Sequence, residues 1–299
     1  MKKILAIAVA TAISAPAMAD LTIGASTEYN LASENGTTTQ GVETNLTLTG
    51  TASAENGIFV KAFTEIEMIG GGDANTSTDG PVDIDDNYLT IGNSAVAATV
   101  GYFGTKSAFN SGDDSFEAAY TDTTGITTGT TTAPQDFYKG NSLDDQTEQD
   151  IALDITAIEG VTLQVSGNLS TAGNDDMRAY VSTEMGGVTL AANIQSSDNT
   201  AHDGYAVSAK SVLGGATVAV SYARNEDEDN AVAVTGNMSG FDLTYVRFES
   251  GASTAESETS YYGSYNVGGL GVAGLNIDLG AGSGSDRETK VGVEVTYAF

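Results

Sequence analysis

The sequence predicts an all-β protein, a closed antiparallel transmembrane β-barrel of sixteen strands, with fourteen strands as the alternative. Three observations predict this fold. After residue 20, apolar and polar residues alternate with a period of two, and almost no segment shows the spacing of an amphipathic helix. In addition, short turns alternate with longer polar loops along the whole chain, as in outer-membrane barrels.

The first element is a leader over residues 1–19. Two lysines precede an apolar core at about 4–13, and an A-x-A pattern at 17–19 supplies a cleavage site, so the segment reads as a secretory signal peptide. The apolar run is shorter than the ~20 residues of a membrane helix. The sequence therefore predicts export through the periplasm and a barrel domain over residues 20–299.

The strands follow the leader. In segments 149–157, 161–170 and 290–299, aliphatic or aromatic residues alternate with Asp, Thr, Gln, Ser, Asn, Lys or Glu, so each strand has one apolar and one polar face. Applied to the whole chain, the same pattern places strands at 21–31, 41–52, 58–69, 86–93, 96–104, 148–158, 161–170, 176–185, 188–196, 204–213, 216–224, 231–238, 241–249, 259–267, 270–281 and 288–299.

The connections between these strands differ in length in a regular way. Short turns fall at one end of the strands, at 54–57, 94–95, 159–160, 186–187, 214–215, 239–240 and 268–269. Longer polar loops fall at the other end, at 32–40, 70–85, 105–147, 171–175, 197–203, 225–230, 250–258 and 282–287. A soluble sandwich has no reason to sort its loops by side, whereas a membrane barrel does. An even number of strands also lets the last strand close on the first and leaves no edge.

The size of such a barrel predicts a pore. Sixteen strands about 4.8 Å apart and tilted by about 40° give a diameter of roughly 32 Å. Side chains cannot fill that width, so the polar faces would line a water-filled lumen and the apolar faces would meet lipid. Aromatic residues near strand ends are candidates for the interfacial belts: Tyr29, Phe63, Tyr88, Tyr102, Tyr205, Tyr222, Tyr245, Tyr265, Tyr297 and Phe299.

One connection, about 104–148, is far longer than an ordinary surface loop and lies between the fifth and sixth strands. The C-terminal VGVEVTYAF ends on Phe299, with Tyr297 and three valines at every second place before it. With the leader, these features make the sequence resemble the general diffusion porins of Gram-negative bacteria, most closely the acidic, trimeric sixteen-stranded type. In that type the long loop after strand five folds into the barrel and narrows it.

The resemblance implies an outer-membrane homotrimer that passes ions and small hydrophilic solutes passively. It implies an acidic loop facing a basic wall at the constriction, with Phe116 and Tyr120 anchoring the loop and Tyr297 and Phe299 as an assembly signal. The acidic residues would be Asp113, Asp114 and Glu117. On the early strands, only Lys61 is a candidate for the basic wall. The basic residues whose place in the alternation puts them on the polar face are Lys61, Arg178, Lys210 and Lys290. Arg224 and Arg247 fall on the opposite face and lie near strand ends.

The net charge of the chain further limits the functions that it can have. The chain carries 40 Asp+Glu against 11 Lys+Arg, a formal net charge of −29. This excludes non-specific binding to nucleic acid, which needs a basic surface. In a pore, the same charge would concentrate cations and repel anions, so we expect cation selectivity. A substrate-specific channel is the alternative. The expected partners are small solutes, cations, outer-membrane lipid and lipopolysaccharide.

Resident metals and cofactors are not expected. The chain has no Cys and a single His, so a thiolate site is excluded. The acidic segments 79–86 and 226–229 supply the oxygen ligands that Ca²⁺ favours, but neither has the EF-hand spacing. Weak Ca²⁺ binding at these loops is the most that the pattern indicates.

Two other functional classes fit the sequence less well. An outer-membrane hydrolase would need a base, and the only histidine, His202 between Asp198 and Asp203, has no convincing serine partner, so we expect no enzyme. A secreted acidic β-rich adhesin or surface protein would be expected to show motif repeats of 20–30 residues, and the sequence shows none.

Overall fold

The computed structural model describes residues 18–34, 36–70, 82–109, 150–168, 177–196, 203–225, 230–249, 258–285 and 287–299. These form a closed barrel of sixteen antiparallel strands, each paired with its neighbours in sequence. The strands are β1 Met18–Glu34, β2 Thr37–Ser53, β3 Phe59–Gly70, β4 Val82–Gly92, β5 Val96–Tyr102, β6 Asp150–Ile155, β7 Val161–Asn168, β8 Met177–Met185, β9 Val188–Ser196, β10 Gly204–Leu213, β11 Ala216–Asn225, β12 Asn230–Met238, β13 Phe241–Glu249, β14 Glu258–Asn266, β15 Leu275–Gly284 and β16 Arg287–Ala298.

The barrel closes between β16 and β1. Their register runs from Ser26 opposite Ala298 to Glu34 opposite Lys290. Two further backbone bonds join Ala25 and Phe299, at 3.3 Å and 3.0 Å. The closure satisfies the peptide groups of both terminal strands, as a strand surrounded by hydrocarbon requires. The predicted closed barrel and its strand number are confirmed.

Two of the expected longer loops are shorter than predicted. β1 ends at Glu34 and β2 begins at Thr37, while β15 ends at Gly284 and β16 begins at Arg287. The pairing of β1 with β2 continues to Glu34 opposite Thr37, so the threonine-rich segment that we expected to be a loop extends the strand. Threonine is β-branched and favours extended backbone, which explains the longer strand.

The expected turn at 268–269 is longer than predicted, and β15 begins at Leu275 instead of residue 270. Leu270 and Gly271 have positive φ angles of 50° and 86°, which a strand does not accommodate. A bond of 2.7 Å from the Val272 N–H to the Gly269 carbonyl closes the first of two successive turns. Gly274 ends the segment, and a Cβ there would lie 2.1 Å from the carbonyl oxygen of Ala298.

The predicted leader falls mostly outside the described residues. Its last two residues, Met18 and Ala19, continue β1 opposite Ser53 and Ala52. This part of β1 extends beyond the end of β16 and pairs with β2 alone. No helix in the described ranges is long and apolar enough to cross a bilayer.

The two faces of the barrel differ as the alternation predicts. Large apolar side chains such as Ile194, Val207, Val220 and Leu243 are exposed on the outer face. Buried polar side chains such as Gln164, Ser221 and Thr244 lie on the opposite face of their strands. The outer face therefore has the apolar surface that contact with lipid requires, and the inner face lines a polar lumen.

Candidate functional site: the lumen and its inserted segment

The chain leaves β5 and turns inward. Residues 103–109, named here the inserted segment, lie against the inner faces of the strands that follow. The backbone N–H of Lys106 donates to Gln164 Oε1, and that of Ala108 donates to Asn193 Oδ1, each at 2.8 Å. These two acceptors belong to β7 and β9, so the segment runs across the inner wall and stays bonded to it.

Apolar contacts continue where these hydrogen bonds end. Ala108 and Phe109 are buried and pack in one cluster with small residues on the inner faces of four consecutive strands, β10 to β13: Ala206, Ala223, Ala231, Ala233 and Val246. Alanine leaves room beside the wall, which lets a phenyl ring fit against the sheet without pushing the strands apart. The start of the long connection is therefore inside the barrel, as the sequence predicted.

Arg178 is the most buried charged residue of the site, with 2% of its surface exposed. Its Nε and Nη2 donate to Gln195 Oε1 at 3.1 Å and 2.6 Å, and its Nη1 donates to Thr105 Oγ1 at 3.1 Å. The guanidinium thus joins β8, β9 and the inserted segment. We predicted Arg178 as a basic wall residue, and the structure places it as an anchor beneath the segment.

A second cation of the inserted segment contacts a wall carboxylate. Lys106 Nζ forms an ion pair and hydrogen bond with Asp154 of β6. Gln164 Nε2 donates to the same carboxylate oxygen at 3.1 Å. The ends of the Lys106 and Asp154 side chains remain partly exposed, 42% and 24%, so the pair faces the aqueous lumen.

The other predicted basic residues do not meet. Lys61 of β3 donates to the Tyr88 hydroxyl at 3.1 Å and lies 5.2 Å from the centre of the Phe63 ring. Lys210 of β10 is exposed, and Lys290 of β16 is paired at the backbone with Gly282. Lys61 and Lys290 lie three strands apart, and Lys210 lies on the other half of the barrel, so the described part of the wall has no single basic cluster.

Two of the predicted belt residues face the lumen. Phe63 and Tyr88 stack with their ring centres 5.0 Å apart, and the Tyr88 ring meets the edge of buried Phe103 at 5.8 Å. The expectation that these two rings belong to the interfacial belt is wrong. Their strand parity, the same as that of Lys61, places them inside, where they support the start of the inserted segment.

Several predicted positions lie outside the described residues: Asp113, Asp114, Phe116, Glu117, Tyr120 and His202, with the acidic segment 226–229 and residues 79–81 of the other acidic segment. The rest of that other segment, 82–86, is the start of β4, although the loop was predicted to continue to residue 85. In the described ranges, no group of three or more His, Cys, Asp or Glu side chains is arranged to hold a metal ion. At the C-terminus, the rings of Tyr297 and Phe299 lie 5.6 Å apart beside the barrel closure.

The inner face also carries an acidic surface that was not predicted from the sequence, named here the acidic wall and formed by Glu28, Glu43, Asp278 and Glu294. Glu28 of β1 is directly opposite Glu43 of β2, and Asp278 of β15 is directly opposite Glu294 of β16. Like charges at directly paired positions repel one another. The four strands are consecutive around the closed barrel, so the carboxylates lie on one continuous part of the inner wall.

Neutral amides help to hold these carboxylates. Asn30 donates to Glu28 Oε1 at 2.5 Å and Asn45 donates to Glu43 Oε1 at 2.7 Å, while Asn266 and Asn276 donate to Asp278 at 2.9 Å and 2.5 Å. An amide donor fixes the orientation of a carboxylate and leaves its net charge unchanged. The polar alternation of β1, β2, β15 and β16 contained this signal, but the register that aligns the carboxylates did not follow from it.

The acidic wall and the anchor of the inserted segment lie across the lumen from each other. β8 and β16 are eight strands apart in the closed order of sixteen, so they lie on opposite sides of the barrel. Arg178 belongs to β8, and Lys106 of the inserted segment is bonded to Asp154 of nearby β6. The described part of the pore therefore has fixed carboxylates on one side and an anchored, partly neutralised segment on the other.

Comparison with known proteins gives a consistent result. A family model described as Gram-negative porin matches residues 6–299. Two mutants of the porin of Rhodopseudomonas blastica are similar in fold: one has 14% sequence identity and a TM-score of 0.66, and the other 13% and 0.67. Each similarity covers 94% of this chain and 100% of the other. No curated protein matches the chain.

The family match extends over nearly the whole chain, and the barrel, its strand number and the inward course of the long connection fit it. The fold and the family are those of passive channels in the outer membrane. The chain belongs to the Gram-negative porin family.

Proposed function

We propose that this porin is a cation-preferring channel for passive diffusion of ions and small hydrophilic solutes. The observation that supports the preference for cations is the acidic wall, in which carboxylates of four consecutive strands point into the lumen. In the pairs Glu28–Glu43 and Asp278–Glu294, each carboxylate lies directly opposite another carboxylate and not opposite a lysine or arginine. A charged lumen between low-dielectric walls concentrates counter-ions along the path of the permeating solute.

The described basic side chains offset this charge only in part. Arg178 is buried beneath the inserted segment, Lys106 is paired with Asp154, and Lys210 lies on β10, away from the acidic wall. Lys61 of β3 and Lys290 of β16 have the inner parity on strands beside or within the acidic wall, so two ammonium groups face its four carboxylates. Further carboxylates of the same inner parity, Glu65 and Glu67, extend the negative region onto β3. Salt screens such a field over about 10 Å at 0.1 M, which is less than the radius of a pore of this kind. We therefore expect the preference for cations to be strong at low salt and weaker at high salt.

The test is a reversal potential across a planar bilayer in a KCl gradient, measured at low and at high mean salt. The wild-type channel should give the sign of cation preference, and the Glu28→Gln/Glu43→Gln double variant should reduce the cation-to-anion permeability ratio by about half or more. Glu249→Gln, on the outer face, is the matched control and should leave the ratio unchanged. An anion-preferring wild type, or an equal ratio in all three proteins, would refute the proposal.

The outer face of β1 to β4 supports a homotrimer. Polar side chains there bond to each other: the Thr27 and Thr44 hydroxyls lie 3.1 Å apart, and the Thr64 hydroxyl donates to Asn87 Oδ1 at 3.2 Å. Polar groups that face hydrocarbon are costly. Contact with another subunit suits such a face better than lipid does.

Two arginines on the outer face support contact with lipopolysaccharide. Arg224 of β11 and Arg247 of β13 lie near the strand ends that the longer loops connect, on strands separated only by β12. Arg247 also pairs with Glu249. A cation on the lipid face costs ~2–4 kcal/mol at the bilayer midplane but about 0–1 kcal/mol near the interface. Guanidinium groups at that level match the phosphates of an anionic glycolipid.

The ends of the chain complete the proposal. Residues 1–19 would be removed during export, and Tyr297 with Phe299 would serve as the signal by which the barrel is recognised for assembly. The terminal residue is largely exposed, 69%, although its backbone is bonded to Ala25, so its ring is accessible at the seam of the barrel.

A further inference from the structure

The inner wall of β10 to β14 contains a recess near the end of the barrel with the short turns. Its upper row is a continuous line of directly paired residues that runs from Lys210 through Ala219, Thr235 and Thr244 to Tyr262. Its lower row, one step closer to the turns, is formed by Thr217, Asn237, Asp242 and Ser264. The small side chains between the ends of the rows leave the concavity.

The recess joins opposite charges. Lys210 supplies an ammonium at one end, and Asp242 supplies a carboxylate three strands away. Asn237 Nδ2 donates to Asp242 Oδ1 at 2.7 Å and holds that carboxylate in place, which leaves its other oxygen for a further donor. Three strand spacings of about 4.8 Å and an offset of two residues along the strands separate the two backbones by about 16 Å, and the lengths of the two side chains reduce the gap between the charges.

The size of the recess limits the solute. Its volume is about 190 Å³, whereas pockets for drug-sized ligands measure about 300–1,000 Å³. A molecule of a few non-hydrogen atoms fits. Thr235 of β12 and Thr244 of β13 also line the recess, and their hydroxyl groups can both donate and accept hydrogen bonds.

We propose that this recess is a low-affinity binding site for small zwitterions of the amino-acid type. The solute carboxylate contacts the ammonium of Lys210, and its ammonium contacts the carboxylate of Asp242. A simple anion is repelled by Asp242 and by the acidic wall, and a simple cation is repelled by Lys210, so only a molecule with both charges gains from both ends. The inference rests on the proposed function, because the solute must reach the recess through the water-filled lumen.

The test uses the full barrel in a planar bilayer with glycine as the probe. Glycine should reduce the potassium conductance saturably, whereas acetate, methylammonium and glycerol at equal concentrations should not. Lys210→Gln and Asp242→Asn should each raise the half-saturating glycine concentration at least about fivefold. Lys290→Gln removes a different inner-face ammonium and should leave that concentration unchanged.

A second measurement separates the site from the channel. Glycine is titrated into the detergent-solubilised barrel while the amide NMR signals of Thr235 and Thr244 are followed. Saturable shifts in a barrel that does not conduct would support the site and refute the channel. Normal conductance without block or shifts would overturn the site alone. Equal effects of acetate or glycerol, or wild-type behaviour of both recess variants, would also overturn it.

Discussion

Replacing Arg178 by alanine should loosen the inserted segment without opening the barrel. The guanidinium donates to Thr105 Oγ1 at 3.1 Å, a bond that connects it to the segment, while its two bonds to Gln195 stay within the wall. The strand pairing of β8 with β7 and β9 uses backbone groups only, so it survives the substitution. The expected change is therefore local.

The size of the effect follows from these contacts. A hydrogen bond to a charged group contributes about 1.5–3 kcal/mol. Loss of the bond to Thr105 should lower the free energy of local opening of the segment by about 1.5 kcal/mol. Because about 1.4 kcal/mol corresponds to a factor of ten in an equilibrium constant, the open population should rise roughly tenfold.

The assay is amide hydrogen exchange of Lys106 and Ala108 in the reconstituted barrel. Their N–H groups are bonded to Gln164 and Asn193 and exchange only when the segment detaches. Arg178→Ala and Thr105→Val should each accelerate exchange about tenfold, and the double variant should add little because both remove the same bond. Unchanged exchange in Arg178→Ala, or effects of the two substitutions that simply add, would refute the reasoning.

Three further predictions concern the outer face and the seam. At Gly50 on β2, an added Cβ meets no atom of the same chain within 4 Å. Gly50→Trp should therefore abolish the proposed trimer in native electrophoresis without disturbing the barrel, whereas Ala209→Trp on β10 should leave the trimer intact. If both variants remain trimeric, the contact between subunits lies elsewhere. The Arg224→Ala/Arg247→Ala variant should retain several-fold less lipopolysaccharide after purification, and equal retention would contradict the assignment. Phe299→Ala should lower the yield of folded barrel in the outer membrane several-fold while the purified variant still folds in detergent; a normal yield would remove the role of the terminal ring.

Much of the architecture was predictable because barrel strands have a local signature. The alternation of Ile151 and Leu153 with polar neighbours, like that of Val291 and Val293, identifies a strand and its two faces without knowledge of its partner. The order of the strands then follows from short turns and the even count. The long connection after β5 was also evident from length alone, and residues 103–109 show that it begins inside the barrel.

The sequence did not predict where positive φ angles would lengthen the turn at Leu270, nor that Phe63 and Tyr88 would stack inside the lumen. It also gave Arg178 the parity of a lumenal cation but not its partners, which lie on β9 and on the inserted segment. The position of a residue in the alternation determines which face of the barrel its side chain occupies. The burial of that side chain and the residues that it contacts depend on parts of the chain that are distant in sequence.

By itself, then, the amino-acid sequence determined a sixteen-stranded acidic barrel with a polar inside and an apolar outside, since these properties depend on residues close together in the chain. Only the tertiary structure decided that Glu28 lies opposite Glu43, that Asp278 lies opposite Glu294, and that both pairs fall across the lumen from Arg178. The physical reason is register: the position of one strand against the next is fixed by hydrogen bonds and side-chain pairs summed around the closed barrel, and no single strand contains that information.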